Sequence, residues 1–315
     1  MSKILVTGGA GFIGNNFVSH MLKKGHEIVI FDNGFRVGFS NLDNLEKKCE
    51  IVKGDVSNLE DWGGIPNDIE YAYHFAAING TKYFYEIPDQ VINTNVLGTL
   101  NFVKRIRDTD VKKIFFASSS EIYGFPKIFP TPETEPMVIP DPMNARFSYS
   151  SSKIIGEMII INFGRTTGIE YQIGRFHNIY GPAMGFEHVI PEFIRKIVKN
   201  EVFEVQGNGN ESRCFCYISD AVKAIEKIME NTVSKNQIFN IGIQKETTIK
   251  ELISMLGKIS GKEINPMYKE FEKHGTLRRM PDTTKISKIG FKAEIDLETG
   301  LKACHDWYKK YFENN

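Results

Sequence analysis

The stretch Lys3-Ile4-Leu5-Val6-Thr7-Gly8-Gly9-Ala10-Gly11-Phe12-Ile13-Gly14 decides the fold. An apolar, β-branched run passes straight into a Gly-x-x-Gly-x-x-Gly pattern at Gly8, Gly11 and Gly14, and Phe12 to Lys24 continues with helical spacing. A strand, a tight glycine turn and a helix N-terminus in that order let backbone N–H groups approach a pyrophosphate. The same turn makes Phe12 and Ile13 cofactor neighbours. A second strand-like run, Glu27 to Phe31, ends in Asp32 and Asn33. A carboxylate about 20 residues after the glycines accepts both ribose hydroxyl protons, and its charge repels a 2′-phosphate. NAD is therefore favoured over NADP, with Arg36 nearby weighing the other way. Asp55-Val56 follows the short strand Glu50 to Val52, where the acid can meet an adenine amino group.

Working outward, Tyr71 to Ala77 and Lys113 to Ala117 are further apolar strands, and Asp89 to Arg107 and Ser148 to Arg165 are long helices, the second leading to strand Glu170 to Arg175. Nearly continuous apolar strands alternating with amphipathic stretches indicate an α/β fold with a doubly wound parallel (Rossmann) sheet. The Pro-rich stretch Phe125 to Pro142 cannot be helical and is expected on the surface. Beyond Gly181-Pro182 the elements shorten, Asp220 reads as the N-cap of a helix to Met229, and Thr247 or Thr248 caps another to Lys258. The expected division is a sheet domain of residues 1–181 plus about 213–243, interleaved with a smaller substrate lobe of about 182–212 plus 244–315.

The 315 residues are 41% hydrophobic and 25% charged, an ordinary globular composition. Lys plus Arg equals Asp plus Glu, 39 against 39, which leaves no net field to attract a nucleic acid or an anionic membrane. Apolar runs such as Met158 to Ile161 fall far short of the ~20 residues that span a bilayer. A strand-like start directly after Met1 leaves no room for a secretory leader, so a cytoplasmic protein is expected. Cys49, Cys214, Cys216 and Cys304 lack the spacing of a zinc or redox motif, and no metal site is expected.

Tyr149 and Lys153 are four residues apart on one helix and share a face. A phenol of pKa ~10 is a poor base at neutral pH, and a nearby ammonium and nicotinamide cation lower it. Tyr123 and Lys127 repeat the spacing, but Gly124 and Pro126 break the helix that would align them. Together with His74-Phe75-Ala76-Ala77, Asn95 to Thr99, Ser118 to Gly124, Arg175 to Pro182 and Arg213 to Asp220, these motifs resemble an extended short-chain dehydrogenase/reductase of the nucleotide-sugar epimerase/dehydratase family. The tail from Arg278 to Leu301 is similar too.

The resemblance implies that Ser119 hydrogen-bonds the sugar O4 and that Tyr149 removes its proton while C4 passes hydride to NAD. Lys153 would hold the nicotinamide ribose and keep Tyr149 acidic, and Ala76, Ala77 and Asn95 would belong to the cofactor groove. Asn178 and Arg213 would meet the substrate diphosphate. Ser120, Asn79, Thr81, His188 and Arg278 complete the expected substrate contacts, the substrate being a UDP- or GDP-sugar and the partner a second copy, paired through the two long helices.

Oxidation at C4 acidifies the protons on C3 and C5, so a second acid/base group sets the product. Glu121, two residues after Ser119 on an extended segment, is the candidate, with His188 as a second. The triplet Ser119-Ser120-Glu121 lacks the Asp of 4,6-dehydratases and is nearer to that of UDP-glucuronate decarboxylases, which the tail at Arg278 also resembles. The strand Gly174 to Pro182 is similar to GDP-mannose 3,5-epimerase. The expectation is an epimerase passing through a transient 4-keto sugar, with dehydration or decarboxylation through the same ketone as the alternative. A non-catalytic NAD-binding sensor would have no use for Ser119, Tyr149 and Lys153 together.

Overall fold

Ile4 and Val6 point into one core while Leu5 points into another, so the first strand is buried on both faces. In this computed structural model, which describes residues 1–36, 38, 39, 42, 45, 48–270 and 277–314, the same alternation recurs along the central strands. The chain runs β1 (Lys3–Thr7), α1 (Phe12–Lys23), β2 (Glu27–Asp32), β3 (Glu50–Lys53), β4 (Tyr71–His74), α2 (Thr81–Glu86), α3 (Pro88–Ile106), β5 (Lys113–Ser119), α4 (Phe147–Thr167) and β6 (Glu170–Phe176). It continues through β7 (Ile179–Tyr180), α5 (Val189–Lys199), β8 (Glu204–Gln206), β9 (Ser212–Arg213), β10 (Cys216–Tyr217), α6 (Ile218–Glu230) and β11 (Gln237–Ile241). Then come β12 (Thr247–Thr248), α7 (Ile249–Ser260), β13 (Met267–Lys269), β14 (Arg278–Arg279), α8 (Thr284–Lys288) and α9 (Leu297–Asn314).

Seven parallel strands form the main sheet in the order β11-β6-β5-β4-β1-β2-β3. Phe17, Val18 and Met21 of α1 pack with Ala221, Val222 and Ile225 of α6 on one face. Phe102 and Val103 of α3 and Ile160 and Phe163 of α4 cover the other. Each of the larger of these buried side chains contributes about 1.5–3 kcal/mol. The strand order reverses between β1 and β4, and a crevice must open beyond their carboxyl ends because the helices that follow leave in opposite directions.

A third core joins Phe193 and Ile194 of α5, Leu252 and Leu256 of α7, and Leu301 and Tyr308 of α9 into the smaller lobe. Ile286, Ile289 and Phe291, placed in that lobe by the sequence reading, pack instead with the sheet core beside β11. Asp220 is not an N-cap: it lies inside α6 and accepts from the Glu294 and Ile295 N–H groups at 3.1 and 3.0 Å. Thr248 does cap α7, in a reciprocal box with Glu251. The Pro-rich stretch is non-helical, yet it is not purely a surface feature, because Thr131 is buried and bridges to Pro281. No helix among the described residues is long and apolar enough to cross a membrane.

Candidate active site

The glycine turn and the carboxyl ends of the central strands line a cleft of about 630 Å³. Gly8 has φ 73°, and a Cβ on it would lie 2.6 Å from Ala76 N. A Cβ on Gly14 would lie 2.1 Å from Gly8 O, so both are demanded by the chain's own packing. At Gly11 the sole contact within 4 Å among the described residues would be Gly8 O at 3.2 Å, which leaves it open to the cleft. Gly11 is the N-cap of α1 without a capping side chain, and Phe12 and Ile13 of the first turn line the same space. Helix N–H groups left without an intrahelical acceptor suit a diphosphate.

Asp32 accepts from Ala10 N and Gly34 N at 3.0 and 2.8 Å, while burial holds its carboxyl above its ordinary value. Asn33 donates to Asp55 at 2.8 Å, and Asp55 also accepts from the Ser57 N–H and hydroxyl. Burial works against ionisation of Asp55, but those donations prevail and hold it below the ordinary value. Val56, Ala76 and Ala77 line the cleft beside them. These residues fit a dinucleotide laid across the carboxyl end of the sheet.

Beneath Ala76 runs a buried relay. Ala76 N donates to Thr7 Oγ1 at 3.3 Å, and Thr7 Oγ1 lies 2.7 Å from His74 Nδ1. His74 Nε2 lies 3.3 Å from Thr99 Oγ1, which donates to the Asn95 carbonyl at 2.7 Å. Burial holds the His74 ring near pKa 3, so it is neutral, with its proton on Nε2 and Nδ1 accepting from Thr7.

At the other end of the cleft, β5 delivers Ser119 and α4 delivers Tyr149 and Lys153. Tyr149 is hydrogen-bonded to Ser119 and stacked on Phe84 at 5.1 Å. Lys153 Nζ donates to Ala117 O at 2.8 Å and lies 5.8 Å from the Tyr149 ring centroid. Both side chains are buried, so each is driven toward its neutral form. Burial pushes the Tyr149 phenol well up, with the Ser119 bond opposing, and brings the Lys153 ammonium down to about 7, with Glu157 opposing. The expectation of an acidic Tyr149 includes the nicotinamide cation beside Lys153, and the protein's own groups alone leave the phenol above its ordinary value. Behind Lys153, Glu157 takes two hydrogen bonds from Arg175, at 2.9 and 2.8 Å, and one from Ser118 at 2.5 Å.

Glu121 lines the cleft from a 3-10 turn, Ser120–Tyr123, rather than from an extended strand. Arg279 donates to one of its oxygens at 2.5 Å and Arg146 lies 3.6 Å from the other. Burial opposes ionisation there, but Arg279, Arg146 and Arg213 overcome it and hold the carboxyl at about 2. An acid/base role for Glu121 would therefore have to be exercised against these arginines. His188 lines the cleft too: its Nε2 accepts from Arg36 at 3.4 Å, and burial beside Arg36 holds the ring at about 4.

Asn79, Thr81, Ser120, Asn178, His188 and Arg213 all line the cleft as expected, although Thr81 opens a helix. Asn178 Nδ2 is buried with no acceptor among the described residues, a donor available to a ligand oxygen. Arg213 donates to Ser212 O at 2.8 Å, and burial with Arg279 brings it down to about 10. Two expectations do not hold. Asn95 lies off the cleft, its amide spent on the Ile78 backbone and Ser152, so it positions the loop rather than the cofactor. Arg278 faces outward to Glu246 at 2.8 Å, and its neighbour Arg279 enters the cleft, because successive residues of β14 point to opposite sides. Arg146 was missed as well. Its signal was a cation at the N-terminus of α4, where the helix dipole disfavours positive charge.

The model of the NAD dependent epimerase/dehydratase family matches residues 4–242. A Methanocaldococcus jannaschii protein provisionally assigned as a UDP-glucose 4-epimerase is 35% identical over 311 residues, 97% of this chain and 98% of that one. The UDP-N-acetyl-alpha-D-glucosaminuronate decarboxylase of Bacillus cytotoxicus is 31% identical, with 98% of each chain covered. Among solved structures, the UDP-glucose 4-epimerase of Thermotoga maritima with UDP-glucose aligns at TM-score 0.89 and 30% identity, covering 98% of this chain and 99% of that one. The UDP-glucuronic acid 4-epimerase of Bacillus cereus, in complex with UDP-glucuronic acid and NAD, aligns at TM-score 0.89 and 25% identity over the same shares. Since the matched residues carry the glycine turn, the Tyr149–Lys153 helix and the strands between them, the chain belongs to the NAD-dependent epimerase/dehydratase family, and NAD is its cofactor.

Proposed function

We propose that the protein is a UDP-sugar 4-epimerase, oxidising the hydroxyl-bearing C4 of the sugar and reducing the ketone on its other face. The observation that carries this reading is the pairing of Ser119 with Tyr149 in the cleft, with Lys153 beside them. Ser119 and Tyr149 form a hydrogen-bonded pair in the cleft, where together they would bind O4 and take its proton. Inversion at C4 needs no second acid. Glu121 is ion-paired with Arg279 and Arg146, Ser120 stands where a proton-donating Asp would be needed for dehydration, and His188 Nε2 is engaged by Arg36. Bound NAD supplies the hydride acceptor and a positive ring that favours the ionised phenol. Lys153, held by Ala117 O, keeps a donor beside that pocket, and Asn178 and Arg213 would receive the diphosphate.

The UDP-sugars named for the relatives support the substrate class, and the decarboxylases among them define the competing outcome. Incubation of the NAD-loaded protein with UDP-hexoses and UDP-hexuronates, read by mass spectrometry and by separation of the epimers, tests the reading. A new epimer of unchanged mass is expected. Loss of water or of carbon dioxide from the product would replace epimerisation with the corresponding lyase reaction.

A homodimer belongs to the same proposal. Ile92, Leu97 and Leu100 on α3 and Ile155 and Met158 on α4 are exposed apolar residues on two helices that pack side by side. A second copy would cover them.

A further inference from the structure

The side chain of Arg36 begins four residues beyond Asp32 and reaches across the cleft. Nη1 donates to the Asn79 carbonyl, and Nη2 lies 3.4 Å from His188 Nε2. A Cβ on Gly185 would come within 3.4 Å of Nη2, and the guanidinium stands 5.9 Å from the Tyr83 ring. Asn79, Gly185 and His188 belong to the segments before α2 and α5 and Tyr83 to α2 itself, none of them to the glycine turn. The charge therefore sits at the reactive end of the cleft, and it is among the charges that act on the Tyr149 phenol.

The nearby acids are engaged elsewhere. Glu187 pairs with Lys82 at 3.5 Å, Glu121 with Arg279 and Arg146, and Asp32 with two backbone N–H groups. Among the described residues Arg36 hydrogen-bonds neutral acceptors only, the Asn79 carbonyl and an uncharged imidazole. A guanidinium offers five donors, so most of them remain for a ligand. It is a cation without a counter-charge among the described residues, facing a ligand cleft.

We propose that Arg36 selects substrates whose hexose carries a carboxylate next to C4, as a hexuronate does. This rests on the nucleotide-sugar reading above. The carbon that bears the carboxylate adjoins the carbon on which Tyr149 acts, so the two residues would address neighbouring atoms. The planar fork matches a carboxylate in two hydrogen bonds, which a neutral hydroxymethyl group cannot reproduce.

The test compares UDP-glucuronate with UDP-glucose in the NAD-loaded wild type, Arg36→Gln and Arg36→Lys. Binding is followed by calorimetry, turnover by kcat/KM, and NAD content by the absorbance of cofactor released on denaturation. The wild type is expected to prefer the hexuronate. Arg36→Gln is expected to reduce that preference about 10- to 100-fold, mainly through KM, and Arg36→Lys to restore part of it, with NAD content equal in all three. The assignment is overturned if the wild type prefers UDP-glucose or binds neither sugar, or if Arg36→Gln weakens both sugars equally. It is also overturned if that variant loses its NAD, which would make the cofactor diphosphate the anion. Preferential hexuronate binding that Arg36→Gln abolishes, with neither sugar turned over, would uphold Arg36 and remove the epimerase reading instead.

Discussion

Arg279 and Glu121 meet at 2.5 Å across 158 residues of sequence. The same guanidinium reaches Ser120 Oγ at 3.3 Å, so β14 of the small lobe is fastened to the turn that follows the catalytic strand. The ion pair ties a carboxylate of the cleft wall to the small lobe.

Glu121 is held at about 2, below its ordinary 4.5, so the folded protein binds fewer protons than the unfolded chain between those values. Its stabilising effect is full above 4.5 and is lost as the pH falls toward 2. Glu121→Gln is expected to cost ~1–3 kcal/mol at neutral pH and to flatten the acid limb of the stability curve. Denaturant titrations across that range check it. A deficit that stays constant down to the acid end assigns the loss to something other than ionisation.

The glycine turn separates two kinds of requirement. Gly14→Ala drives a Cβ into Gly8 O at 2.1 Å and is expected to destabilise the fold severely. Gly11→Ala meets that oxygen at 3.2 Å and is expected to fold with a loss of no more than about 1 kcal/mol. Because Gly11 faces the cleft, NAD retention should fall at least about tenfold, a cost of ~1.4 kcal/mol. Thermal melts and released-cofactor absorbance on the same samples decide the case, and normal NAD content in Gly11→Ala would contradict it.

Burial brings Lys153 down to about 7 from 10.5, so between these values the unfolded chain binds more protons and stability rises with pH. Lys153→Met removes the charge while keeping much of the stem. Turnover is expected to fall by at least about 100-fold, together with a loss of the stability rise from neutral to alkaline pH. Melting temperature against pH supplies the readout, and an unchanged slope would show that the ammonium is solvated.

If α3 and α4 pair with a second copy, a charge on their exposed apolar face should prevent it. Leu100→Arg combined with Met158→Arg is expected to yield a folded monomer in sedimentation at concentrations where the wild type is a dimer. A wild type that sediments as a monomer would remove the proposal.

Local chemistry was legible in the residues themselves. β1, Gly8 to Gly14 and α1 are contiguous, and the spacing of Tyr149 and Lys153 needs one helix and nothing else, so neighbours in sequence sufficed to place them. The parallel sheet followed from strands apolar on both faces. What required the folded chain was every relation that joins distant segments: Arg279 rather than Arg278 at Glu121, Asn95 at Ile78, Arg36 at Asn79 and His188. The protonation states of Tyr149, Lys153 and Glu121 also belong to this class. Burial and charge partners set them, and both depend on which elements pack together in space, whereas spacing along the chain determines only which side chains share a face.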